Sequence, residues 1–120
     1  NYPSGVNYCA YHSAAIANLT TGSKSFAFGF MPNLIGIAGC DARYLPGYFP
    51  SGTGLDSLIN VTTHEIYEAM TDSLITSYAW YDARGYEIGD KCAWSYGTAN
   101  LGGYSVQTEY SNSKVTCSDS

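Results

Sequence analysis

The sequence predicts an α+β domain: one central amphipathic helix packed on a small, mostly antiparallel sheet, held by two disulfides. Three observations carry that expectation. Apolar residues recur at helical spacing between Leu55 and Ser73, and they alternate around residues 26–30 and 104–110. The four cysteines are even in number, with no Cys-x-x-Cys pair.

The helix comes first because it is the longest periodic segment. Leu55, Leu58, Ile59, Thr62, Ile66, Ala69, Met70 and Ser73 fall within a stripe roughly 120° wide at about 100° per residue. Thr53-Gly54-Leu55-Asp56 reads as a capping box, so the helix is expected from Leu55 to Thr71 with this stripe facing the core. Phe26, Phe28 and Phe30 share one face of an expected strand that Pro32 ends. Residues 34–38 are read as a second strand. Residues 39–54, with Gly39, Pro46, Gly47, Pro50 and Gly52, are read as a loop. Residues 1–23 look turn-rich apart from a short Ala/Ile run. Tyr78 to Tyr81 fit a strand or a turn, 85–92 is a short Gly-bounded segment, and 104–110 fits a terminal strand.

The 120 residues suffice for a single domain, 1–120. Pairing Cys9 with Cys40 and Cys92 with Cys117 closes one local loop in each half, worth roughly 3 kcal/mol apiece in the chain-entropy model. Paired cysteines with few lysines and many Ser, Thr, Tyr and Gly suit a secreted, extracellular setting, where Asn1 is expected to be a processed end. Asn18-Leu19-Thr20 and Asn60-Val61-Thr62 are sequons that would make the chain a glycoprotein. The net charge of −5 argues against nucleic-acid binding, and no apolar run approaches a membrane span. A monomer is expected.

The chemistry concentrates opposite the apolar stripe. His64 and Glu68, four residues apart, lie about 40° from each other around the axis, so both reach one ion. Asp72 continues the row, and Glu65 sits at its edge. Zinc peptidases use this spacing in His-Glu-x-x-His, with two ligands and a general base between them. Glu68 in place of the second histidine hardens the site, which loses some preference for zinc and gains some for calcium, magnesium or manganese; by the likeness of the spacing zinc stays the first choice, with calcium or magnesium second. Glu87 and Asp90 are the expected further ligands, Glu65 the catalytic base, and His12 an acid near the site. A solvated helix face is the competing explanation for the same pattern. Against it, Glu65, Glu68 and Asp72 repel one another with no basic residue nearby, and a bound cation would relieve that.

Several short motifs come in a set order. Tyr11-His12-Ser13 follows a cysteine, and residues 64–72 read His-Glu-Ile-Tyr-Glu-Ala-Met-Thr-Asp. Trp80-Tyr81-Asp82 comes next, then Glu87-Ile88-Gly89-Asp90-Lys91-Cys92-Ala93-Trp94, and Gln107-Thr108-Glu109-Tyr110 precedes Cys117. This order resembles the EXORDIUM or phosphate-induced protein family of secreted proteins in plants, oomycetes and fungi, with bacterial relatives. The family's late tryptophan corresponds to Tyr110 here, and its members have a long N-terminal portion ahead of these motifs. The resemblance implies an extracellular, wall-associated protein and carries no activity with it.

Three functions are weighed. The first is a zincin-like metal-dependent hydrolase acting on an extracellular peptide or glycan. The second is a non-catalytic glycan- or protein-binding module with a structural ion. The third, disfavoured by charge, is a metal-dependent nuclease or ribotoxin-like protein.

Overall fold

The computed structural model describes residues 8–44, 55–74 and 79–119. A long hairpin leads: β1 (Tyr11–Leu19) pairs antiparallel with β2 (Gly22–Phe30), Tyr11 opposite Phe30 and Leu19 opposite Gly22. One α-helix among the described residues, α1 (Leu55–Thr71), follows. Two further antiparallel pairs close the chain, β3 (Tyr96–Leu101) with β4 (Tyr104–Gln107) and β5 (Glu109–Ser111) with β6 (Thr116–Ser118). Both expected disulfides form, Cys9–Cys40 and Cys92–Cys117. The α+β class and the helix bounds agree with the sequence. The expected single sheet does not form: among the described residues, the strands make three separate two-stranded ladders.

Other expectations need correction. Residues 11–19, read as turn-rich, form the inner strand of the hairpin. Residues 34–38, read as a strand, are tight turns in which Ile37 N–H donates to Leu34 O and Gly36 takes a positive φ of 79°, a region glycine enters without steric cost. The terminal strand is interrupted at Thr108, which divides β4 from β5. Residues 85–92 hold a turn and a short 3-10 helix, Asp90–Cys92, and residues 79–81 form no strand. Tyr78 and the first half of the capping box, Thr53 and Gly54, lie outside the described residues.

The helix is the larger surprise, because its orientation is the reverse of the expected one. Ile66 and Met70 are 54% and 73% exposed, while Asp56, Ser57, Asn60, Thr63, His64, Glu65 and Glu68 are buried. An apolar stripe turns inward only where an apolar surface waits for it. Among the described residues buried apolar side chains are few: Ala10, Leu34, Cys40 and Val61 cluster, with Cys9, Met31 and Ile37 against them, and Cys92 and Val106 are buried outside that cluster. The polar face finds partners instead. Gln107 N–H donates to Asn60 Oδ1 at 3.1 Å, and Asn60 Nδ2 donates to the Tyr96 hydroxyl at 3.2 Å. Ser57 Oγ donates to Asp41 Oδ1 at 2.9 Å. Asp41 is fully buried and also takes the Gly36 N–H and the Arg43 guanidinium, which together hold its carboxyl well below the usual range. Buried polar groups with partners cost little, and these partners fix which way the helix faces.

Candidate metal centre

His12 sits on the hairpin face opposite the Phe26, Phe28 and Phe30 rings, across from Gly29. From that face the imidazole reaches α1. Its Nδ1 lies 3.1 Å from Glu65 Oε2 and 3.7 Å from Glu68 Oε2. On its other side, His12 Nε2 lies 3.5 Å from Glu87 Oε1, too far for a hydrogen bond, and both atoms are buried without one.

His64 Nε2 lies 3.1 Å from Glu68 Oε1 and 3.8 Å from Asp90 Oδ1. The Asp90 backbone N–H also donates to Glu68 Oε1 at 2.8 Å, so Glu68 is shared by the helix, the hairpin and the 85–92 segment. Gly89 permits this closeness. A Cβ there would stand 2.8 Å from His64 Cε1 and Nδ1, and 2.9 Å from Glu68 Oε1.

Two sets of donor atoms therefore close around Glu68: His12, Glu68 and Glu87, and His64, Glu65 and Glu68. They open onto a cleft of about 440 Å³, which Asp72, Tyr81, Trp94 and Gln107 also line. The solvated-face explanation of the helix fails, since His64, Glu65 and Glu68 are each less than one-tenth exposed.

The charges in the cleft bear on one another. Burial opposes a proton on His64, but the neighbouring Asp90 and Glu68 carboxylates outweigh it and push the imidazole up to about 10. His64 in turn holds Asp90 below the usual carboxylate range. Burial raises Glu65 against the pull of His12, and burial with the nearby Glu68 charge raises Glu87 to about 7.

Asp72 departs from the expected ligand row. Its carboxylate accepts the Tyr81 hydroxyl and joins neither donor set; Asp90 also lies outside both sets, but its Oδ1 stays 3.8 Å from His64 Nε2. The Asp72 contact pushes the Tyr81 hydroxyl up to about 12. Asn60 corrects the sequon reading: it is fully buried and bonded at both ends of its amide, so the folded chain cannot carry a glycan there.

Three residues escaped the sequence reading of the site, Tyr81, Gln107 and Glu109, while Trp94 is expected there only as a contact for a glycan or a protein partner. Tyr81 and Gln107 line the cleft. Trp94 does too, at a left-handed φ of 61° with its N–H donated to Gln107 Oε1. Glu109 is buried beside them, its two carboxylate oxygens without hydrogen-bond partners. An acid inside an alternating strand gave the only available hint.

Among curated proteins, the chain is similar to Protein EXORDIUM-like 5 of Arabidopsis thaliana, 37% identical over 75 residues. The match covers 50% of this chain and 20% of that protein, so the chain spans about a fifth of the relative's length. This supports the EXORDIUM-like resemblance of the motifs. No protein-family model and no solved structure matches the chain. Two disulfides with no free cysteine among the described residues are compatible with an extracellular protein. No described helix is long and apolar enough to cross a membrane.

Proposed function

We propose that the chain, EXORDIUM-like over half its length, is a zincin-like metal-dependent hydrolase acting on an extracellular peptide or glycan. One observation carries the reading: the His-Glu-x-x-Glu face of α1 is turned inward against His12, Glu87 and Asp90 at the floor of an open cleft. His64, Glu68 and Asp90 would hold the ion. Their donor atoms already stand 3.1 and 3.8 Å from His64 Nε2, near the separation that ligands about 2.1 Å from one zinc adopt. When bound, the ion supplies Lewis-acid polarisation of a carbonyl or phosphoryl oxygen and a more acidic water. Glu65, at the edge of the ligand row, would act as general base toward an attacking water. His12 Nδ1, 3.1 Å from Glu65 Oε2, holds the carboxylate in place. Glu87 faces His12 from the far wall.

A second reading has its own support. Glu87 and Asp90 come from one short segment and Glu68 from the helix, so an ion between them would staple that segment down. Carboxylates in such numbers suit calcium in a non-catalytic binding module. The deciding experiment is elemental analysis of protein purified without chelator or affinity metal, beside H64A/E68A. One equivalent of zinc lost in the double variant, with turnover that E65Q abolishes, supports the hydrolase. One equivalent of calcium with no turnover supports the module, and no metal in either protein overturns both.

A further inference from the structure

Glu68 turns its two oxygens toward two different histidines. Its Oε1 lies 3.1 Å from His64 Nε2, and its Oε2 lies 3.7 Å from His12 Nδ1. An ion held by His64, Glu68 and Asp90 uses only the first of these sides. The His12 side has a deficit of its own.

Glu65 settles the tautomer there. A carboxylate only accepts, so His12 Nδ1, 3.1 Å from Glu65 Oε2, carries the proton and Nε2 keeps its lone pair. That lone pair faces Glu87 Oε1 across 3.5 Å. Both atoms are buried without a hydrogen-bond partner, and the His12 side chain is only 6% exposed. Two buried acceptors facing each other repel unless positive charge lies between them. The spacing suits an ion, since two ligands about 2.1 Å from one tetrahedral zinc stand about 3.4 Å apart. Glu68 completes a set in which one donor atom from each of His12, Glu68 and Glu87 lies within 4.8 Å of the others.

Charge points the same way. Glu65, Glu68, Glu87 and Asp90 all face the two imidazoles, and among the described residues no lysine or arginine lines the cleft. Metal ligation requires neutral imidazoles. One dication then leaves two of these four carboxylate charges uncompensated in a largely buried site, and two dications balance them.

We propose that the cleft takes two divalent cations bridged by Glu68: one on His64 and Asp90 through Oε1, the second on His12 Nε2 and Glu87 through Oε2. This deepens the hydrolase reading and rests on it for the first ion. Glu65 against Nδ1 fixes the ring that presents Nε2 to the second ion. Two ions about 3.5–4 Å apart clamp both the attacking and the leaving oxygen of one substrate group.

The test is equilibrium dialysis of the full chain against zinc. Bound metal is counted by elemental analysis, and the metal–metal distance is read by X-ray absorption. The wild type is expected to reach two equivalents, with a zinc–zinc distance of about 3.5–4 Å. E87Q and H12Q, each with the unfolding midpoint retained, stop at one equivalent and lose the zinc–zinc signal. H64A does the same from the other side. A wild type that stops at one equivalent, lost in H64A and kept in E87Q and H12Q, overturns the second ion and leaves the hydrolase reading standing. Two equivalents without a zinc–zinc distance overturn the bridge. No uptake at all overturns both readings. Should a variant fail to fold, the wild-type stoichiometry and distance still decide.

Discussion

His12 Nδ1 stands 3.1 Å from Glu65 Oε2, although the two residues are 53 positions apart. A strand histidine thereby backs the helix carboxylate assigned to activate water. Replacing Glu65 by Gln keeps the shape and removes the base, so turnover falls by about 10²- to 10⁴-fold while metal content is retained. Replacing His12 by Ala gives a smaller loss and moves the acidic limb of the pH–rate profile, because Glu65 loses the partner that opposes its raised pKa. Rate profiles of both variants on a substrate found by peptide and glycan screening check this.

The metal-free protein is expected to lose stability as the pH rises. Glu87 and Glu109 are pushed up by burial to about 7 from an ordinary 4.5, so their contribution is complete below 4.5 and lost as the pH climbs through about 7. His64, held near 10 against an ordinary 6.5, contributes fully below 6.5 and loses that contribution as the pH climbs through about 10. All three therefore slope the same way. A cation at the donor sets would take the place of the protons on His64 and Glu87, so zinc should flatten that part of the decline and its affinity should rise with pH. Unfolding midpoints across this range, with and without zinc, measure both. A flat metal-free profile would contradict the charge arrangement.

Asp41 behaves in the opposite sense. Arg43 holds its carboxyl far below the ordinary 3.8, so its contribution is present above that value and is lost as the pH falls further. Asp41→Ala also strips the acceptor from Ser57 Oγ and Gly36 N–H. The expected cost is about 1–3 kcal/mol in urea unfolding at neutral pH, shrinking in acid.

Gly89→Ala tests the tight approach at the centre. Its backbone φ of −76° suits alanine, so any effect comes from the new methyl group striking His64 and Glu68. Metal affinity should fall at least tenfold, a loss that calorimetric titration would register. Unchanged affinity would mean that the imidazole has room to move aside.

The helix was legible to its ends, and the phenylalanine alternation located β2, because both are periodic signals. Strand β1 was not legible, since its alanines leave little contrast between faces. Residues 34–38 looked like a strand on apolarity alone, which ignored what Gly36 at positive φ does to a chain. The candidate site was legible as residue types, and the structure brings together His12, His64, Glu65, Glu68, Glu87 and Asp90. The direction of the helix was not legible. Helical periodicity separates two faces, but only distant partners such as Asp41, Tyr96 and Gln107 decide which one is buried. Glu109 was hidden for the same reason.

Glu68 is reached from a hairpin far upstream and a short segment downstream, and each approach closes a long loop of chain. Contacts of that separation form late, after the entropy of closing those loops has been overcome. A chain whose hairpin or 85–92 segment has not yet docked would therefore lack the full set of donor atoms. An ion that binds only the finished arrangement would also hold it there, by RT ln(1 + [L]/Kd).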